Sequence, residues 1–283
     1  MAIRVDAHQH FWDLNKTEFE YGWLSAEGNE AINRSFMPSD LASRISQVGI
    51  DKTVFVQTQH NIRENAWALE LATNNPFIAG VVGWVDLASD DCEDQIAQFA
   101  DNPKFVGIRH ITQDEPNVDF IVSDEIINGL KVLEKYNVPF DLLFYVQHVH
   151  HAKTVASLLP NLPLVIDHIS KPEIKAGRMD NWTQHIQDAA KYENVYCKLS
   201  GMITEADWAH WTASDLRPYV EVALEAFGVE RCMFGSDWPV CELAGTYDQV
   251  HDALCQVVGP LSNSETDRLF GGTAIEFYRL DVQ

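Results

Sequence analysis

Phe105-Val106-Gly107-Ile108-Arg109-His110 is an apolar run that closes on two polar side chains, and it sets the reading of the whole chain. A strand covered on both faces reads as a near-continuous apolar segment, which is the habit of parallel sheets. Seven further runs share the form: Ile3–Ala7, Thr53–Gln57, Ile78–Val85, Pro139–Tyr145, Leu164–Ile169, Val195–Ser200 and Cys232–Ser236. Between them, apolar residues recur at three- and four-residue spacing, as in Ala66, Leu69, Leu71 and Ala72, or Ile126, Ile127, Leu130 and Leu133. That is amphipathic helix patterning. Eight strands, each followed by a helix-length segment, predict an α/β fold, a closed parallel (β/α)8 TIM barrel. An open doubly wound sheet is the alternative.

Local signals agree with this parsing. Pro38-Ser39-Asp40 opens a helix after a polar loop, Gly49 closes it, and Thr246 and Ser262 are placed to cap late helices. No Gly-, Ser- or Pro-rich linker interrupts the chain, so one barrel domain over residues 1–283 is expected. The stretch from Trp12 to Met37 is longer than ordinary connections and carries Phe19, Tyr21 and Trp23. Such a loop is either a cover over a site or a packed surface segment.

Charge narrows the partners. The 283 residues hold 20 Lys and Arg against 42 Asp and Glu, a net charge of −22, which disfavours nucleic acid and anionic membrane. No apolar run reaches 18 residues, and polar residues follow Met1 too soon for a signal segment. Five cysteines without a Cys-x-x-Cys pair point to free thiols in a reducing cytoplasm.

The polar residues fall where a barrel would use them, because all C-terminal strand ends of a parallel barrel lie on one rim. His8 and His10 alternate on one strand, share a face and suit a single cation; paired hydrogen-bonded histidines are the structural reading. Asp237, in Phe234-Gly235-Ser236-Asp237-Trp238-Pro239, follows the last strand and serves either as metal ligand and base or as a helix cap. Strand alternation sets His168 and Asp167 on opposite faces; His168 is a proton-transfer or carbonyl-polarising group, or a core histidine. Arg109 and Lys198 interrupt apolar strands, so each needs a carboxylate such as Asp141 or Asp6, or an anionic oxygen on a ligand.

Taken together, His8-Gln9-His10-Phe11-Trp12, Val106-Gly107-Ile108-Arg109-His110, Ile166-Asp167-His168, Lys198-Leu199-Ser200-Gly201 and Phe234 to Pro239 resemble the amidohydrolase superfamily. Within it they resemble the branch that holds sugar lactonases such as L-fuconolactonase and L-rhamnonolactonase. The resemblance spans nearly the full chain. It implies a (β/α)8 barrel, a site on the C-terminal rim, hydrolysis, and metal held by strand 1 histidines and the strand 8 aspartate. Strand 4 offers Arg109 and His110, and strand 5 offers Asp141 where relatives place a metal histidine, so a binuclear centre is not expected. One divalent ion, zinc first, at His8, His10 and Asp237 is the expectation; metal-free hydrolysis by cationic side chains is the alternative.

The expected reaction is the opening of a sugar-acid lactone. Asp237 is the base, while His168, with Arg109, Lys198 or the metal, polarises the carbonyl. Trp12, Trp84 and Trp238 offer planes for a sugar ring, and His110, Asp141 and Ser200 complete the expected substrate contacts. Pyrone or muconate-type lactones, a metal-dependent decarboxylation and a non-catalytic binding barrel are the rival readings. The expected partner is a small lactone, and a homo-oligomer is compatible with the sequence.

Overall fold

The computed structural model describes residues 2–282; Met1 and Gln283 of the expected domain lie outside them. Eight strands, β1 (Val5–Gln9), β2 (Lys52–Val56), β3 (Ile78–Gly83), β4 (Phe105–His110), β5 (Phe140–Leu142), β6 (Leu164–Ile166), β7 (Val195–Leu199) and β8 (Cys232–Phe234), form one parallel sheet in sequence order. Ten α-helices separate or follow them: α1 (Pro38–Val48), α2 (Ile62–Asn74), α3 (Cys92–Ala97), α4 (Asp124–Tyr136), α5 (His151–Leu158), α6 (Asp180–Ala190), α7 (Ala213–Phe227), α8 (Tyr247–Val257), α9 (Asn263–Asp267) and α10 (Thr273–Tyr278). This is a single-domain (β/α)8 barrel, not an open sheet.

Closure happens between the first and last strands. A parallel bridge joins Gln9 to Trp238, and the Asp237 and His10 amides donate to the carbonyls of His8 (2.8 Å) and Trp238 (2.7 Å). The buried Asp6 carboxylate reinforces the seam by accepting from the Ser236 amide at 2.8 Å and the Tyr247 hydroxyl at 2.9 Å. Gly235 is required there, since a Cβ would lie 2.7 Å from that of His8. The sequence signals of closure and capping work as expected. Gly49 ends α1 in the left-handed conformation, and Thr246 and Ser262 both cap helices in capping boxes.

The barrel interior is apolar at one end and polar at the other. Val5, Ala7, Val54, Val56, Val82 and Val106 form a cluster with Phe277, Tyr278 and Leu280, so α10 and the residues after it plug the end opposite the rim. β5, β6, β7 and β8 are among the strands that end before the sequence runs do, stopping at Leu142, Ile166, Leu199 and Phe234. Beyond these points the chain leaves the ladder to turn polar side chains inward. The clearest case is His168 to Lys171, four consecutive residues in the left-handed region (φ 53, 46, 59 and 46°), each costing roughly 1–2 kcal/mol. Such a turn persists only where the surroundings dictate it.

Candidate active site

The turn after β6 corrects the expectation that His168 and Asp167 face opposite ways. The strand has ended at Ile166, and the left-handed backbone that begins at His168 turns that side chain into the barrel mouth beside Asp167, where both are buried. Gly201, at φ +60°, leaves the space that the His168 ring fills; a Cβ there would fall 2.5 Å from His168 Nδ1.

Four side chains from three chain regions meet around one carboxylate oxygen. Asp237 Oδ1 lies 3.3 Å from His10 Nε2, 3.8 Å from His8 Nε2 and 3.8 Å from His168 Nε2. His8 Nε2 and His10 Nε2 are 3.2 Å apart. Burial pushes all three histidines below their ordinary pKa, His168 to about 4, so they are neutral at pH 7. Burial alone would raise Asp237, but His168, His10 and His8 around it outweigh that and hold its carboxyl well below the usual carboxylate range.

The tautomers show what the arrangement lacks. His10 Nδ1 is 2.7 Å from the Val56 carbonyl, which can only accept, so neutral His10 carries its proton there and turns the Nε2 lone pair inward. His8 Nε2 lies 3.2 Å from Arg109 Nη1, a donor, so it too presents a lone pair. The His10 lone pair therefore faces an ionised oxygen with no proton between them, and the His8 lone pair beside them accepts from Arg109, an electron-rich group that suits a cation. His8, His168 and Asp237 each bring a ligand atom within 4.8 Å of the others, with His10 Nε2 3.3 Å from Asp237 Oδ1 beside them, and such nitrogen and carboxylate donors suit a divalent ion such as zinc.

A second polar group lies directly beneath. Lys198 Nζ is 2.6 Å from Asp141 Oδ2 and 3.0 Å from Asp167 Oδ1, and all three side chains are fully buried. Arg109 Nη1 reaches Asp167 Oδ2 at 3.2 Å, and the Tyr278 hydroxyl donates to both oxygens of Asp141 at 2.8 and 2.9 Å. Burial raises Asp141 to about 6 against the pull of Lys198; in Asp167, Lys198, His8 and Arg109 overcome burial and hold the carboxyl well below its ordinary value.

Above the histidines opens a cavity of about 370 Å³, a size usual for small-molecule sites. Its wall includes His10, Trp12, Arg109, His168 and Asp237 from the expected set, and Trp23 and Asn29 of the loop after β1, which thus lies over the site. Other expected residues stand elsewhere. Lys198 and Asp141 are in the layer below, so Lys198 cannot reach a substrate carbonyl in this geometry. Ser200 supports His168, with its hydroxyl 2.9 Å from Nδ1. Trp84 donates to His110 Nδ1 (3.3 Å), whose Nε2 meets Glu115 at 2.7 Å, and Trp238 is fully buried with its Nε1 on Glu242. None of these lines the cavity. Asp114, Tyr145, Lys171, Glu205 and Trp208 do, and sequence reading missed them. They sit in irregular loops without periodicity; only their place a few residues beyond strand ends could have marked them.

Comparison with known proteins agrees with this geometry. The amidohydrolase family pattern matches residues 5–280, and the chain belongs to that family of hydrolases. It is 36% identical to an L-fucono-1,5-lactonase of Burkholderia ambifaria over 99% of this chain and 97% of that one. A second L-fucono-1,5-lactonase, from Burkholderia multivorans, is 35% identical with the same coverage. The structure of an amidohydrolase from Burkholderia multivorans with bound zinc superposes with a TM-score of 0.92 at 34% identity, covering 99% of this chain and all of that one.

Proposed function

We propose that this protein hydrolyses the ester bond of a sugar-acid lactone, of the L-fucono-1,5-lactone type, at Asp237. The observation that carries the reading is the convergence of His8, His10 and His168 on Asp237 Oδ1 at the base of a sugar-sized cavity. Kinship with two L-fucono-1,5-lactonases supports the substrate class. The zinc of the Burkholderia multivorans relative supports a single divalent ion held here by His8, His10, His168 and Asp237. When bound, that ion supplies positive charge that acidifies water and polarises a carbonyl.

The chain's own groups do the rest. Asp237 is ionised and takes a proton from the attacking water as the new carbon–oxygen bond forms. The tetrahedral oxyanion faces Arg109, whose Nε has no hydrogen-bond partner among the described residues, and Lys171, whose ammonium sits 5.2 Å over the Tyr145 ring. Collapse breaks the ring carbon–oxygen bond, and Asp237 returns its proton to the leaving alkoxide. Ser200 holds the His168 ring in place. Trp12, Trp23 and Trp208 supply apolar planes against which the C–H faces of a sugar pack.

The test is a pH-indicator screen over neutral aldonolactones, a pyrone dicarboxylate and aromatic acids, with carbon dioxide release measured in parallel. Acid release from the aldonolactones supports the reading. Turnover confined to the pyrone, or carbon dioxide release in place of acid, overturns it.

A further inference from the structure

Outside the cavity, histidines gather again where the chain runs into α5. His150 and His151 have ring centroids 3.8 Å apart, and His185 of α6 stands 5.7 Å from His150. Asp119, from the loop between β4 and α4, brings Oδ1 to 3.1 Å from His151 Nε2. One ligand atom each of Asp119, His150 and His151 lies within 4.8 Å of the others.

His151 is the informative member. It is only 6% exposed, yet among the described residues no hydrogen bond of standard geometry reaches its buried Nε2. The Asp119 oxygen at 3.1 Å is the ion-pair partner of that nitrogen. His185 Nδ1 on the same patch is also buried without a partner. A buried polar atom left unpaired costs about 1–3 kcal/mol, so two of them on one patch call for an occupant.

The molecule contains a control for this argument. His60, His110 and Glu115 form an equally tight group, but most of its ring nitrogens are hydrogen-bonded. His110 Nδ1 accepts from Trp84 Nε1, His110 Nε2 donates to Glu115, and His60 Nε2 accepts from the Ile111 amide at 3.0 Å. Three of its four ring nitrogens are thereby engaged. His148, next to the α5 group, is likewise engaged through Nδ1, which accepts from the Tyr145 amide.

We propose a second divalent-metal site on the outside of the barrel, formed by Asp119, His150 and His151 with His185 at its edge. Two imidazoles and one carboxylate select a borderline transition ion such as zinc over magnesium or calcium. One term opposes it: His151 is the first residue of α5, and the positive end of a helix disfavours a cation. The Asp119 carboxylate offsets that term. The site spans the loops after β4 and β5, which also carry Asp114 and Tyr145 to the cavity wall. A bound ion therefore braces two walls of the cavity from outside.

The experiment is calorimetric titration of the chelator-stripped, full-length protein with zinc chloride, repeated on Asp119→Asn and on a His150→Ala/His151→Ala double variant. The Asp119 side chain is 73% exposed, so its variant keeps the fold. Wild type is expected to bind one more equivalent than either variant, while Asp237→Asn retains that equivalent. This count does not depend on any lactone being turned over. Wild-type stoichiometry and affinity in both variants would overturn the site.

Discussion

Two polar layers share the mouth of this barrel, and they are built from similar residues to opposite ends. In the lower layer, Lys198 faces Asp141 and Asp167, with Tyr278 donating from below and Arg109 reaching down to Asp167 from the cavity wall. In the upper layer, Asp237 faces three neutral imidazoles, and His10 turns its Nε2 lone pair toward its oxygen. Charge that is matched within the protein holds strands together. Donors left converging without a proton between them are available for chemistry.

That contrast predicts different failures for the two layers. The largest stability effect belongs to Lys198→Met, which strands two buried carboxylates; urea unfolding is expected to show a loss of about 3–5 kcal/mol. A loss under about 1 kcal/mol would mean the lower layer is not the ionic scaffold described.

Glu64 tests the intermediate case, a fully buried carboxyl with no ion pair among the described residues. It accepts from the Thr58 amide (2.9 Å), the Thr58 hydroxyl and Gln59 Nε2 (3.3 Å). Burial raises its pKa from 4.5 to about 7. The native state therefore binds the proton more tightly than the unfolded chain does. Its contribution is fully present below pH 4.5 and is lost as pH rises through about 7. Relative to Glu64→Gln, wild type is expected to lose about 3 kcal/mol between pH 4.5 and 8, read by denaturant unfolding at both pH values. A constant difference would show that this carboxyl has found a cation.

Tyr278→Phe removes the hydroxyl that Asp141 accepts and should cost about 1.5–3 kcal/mol of stability, with lactone turnover retained. If turnover falls more than stability, the lower layer is part of the reacting centre. The smallest effect is Ser200→Ala, which frees the His168 ring from one hydrogen bond worth about 1 kcal/mol; kcat should drop about five-fold with the thermal midpoint nearly unchanged.

The fold was legible because parallel strands covered on both faces leave apolar runs, and strand ends in a barrel share a rim. That logic put His8, His10, His168 and Asp237 on one rim, and the structure brings these side chains together. It failed where a ladder stops early. Periodicity could not foresee the left-handed turn from His168 to Lys171, and so it mistook the facing of Asp167. It also could not tell Lys198 from Arg109: both are cations in apolar strands, and only the barrel's depth decides that one lines the cavity and the other lies under it. Trp84 and Trp238 look in sequence like sugar platforms, yet ring packing and a partner for the indole N–H claim both.

The claim under all of this is that Asp237 is the reacting carboxylate. Initial rates of L-fucono-1,5-lactone hydrolysis by wild type and by Asp237→Asn, each confirmed folded by its thermal transition, reach it directly. A rate loss of about 10²- to 10⁴-fold in the asparagine variant is the predicted result. Turnover near that of wild type would contradict it and move the chemistry away from this site.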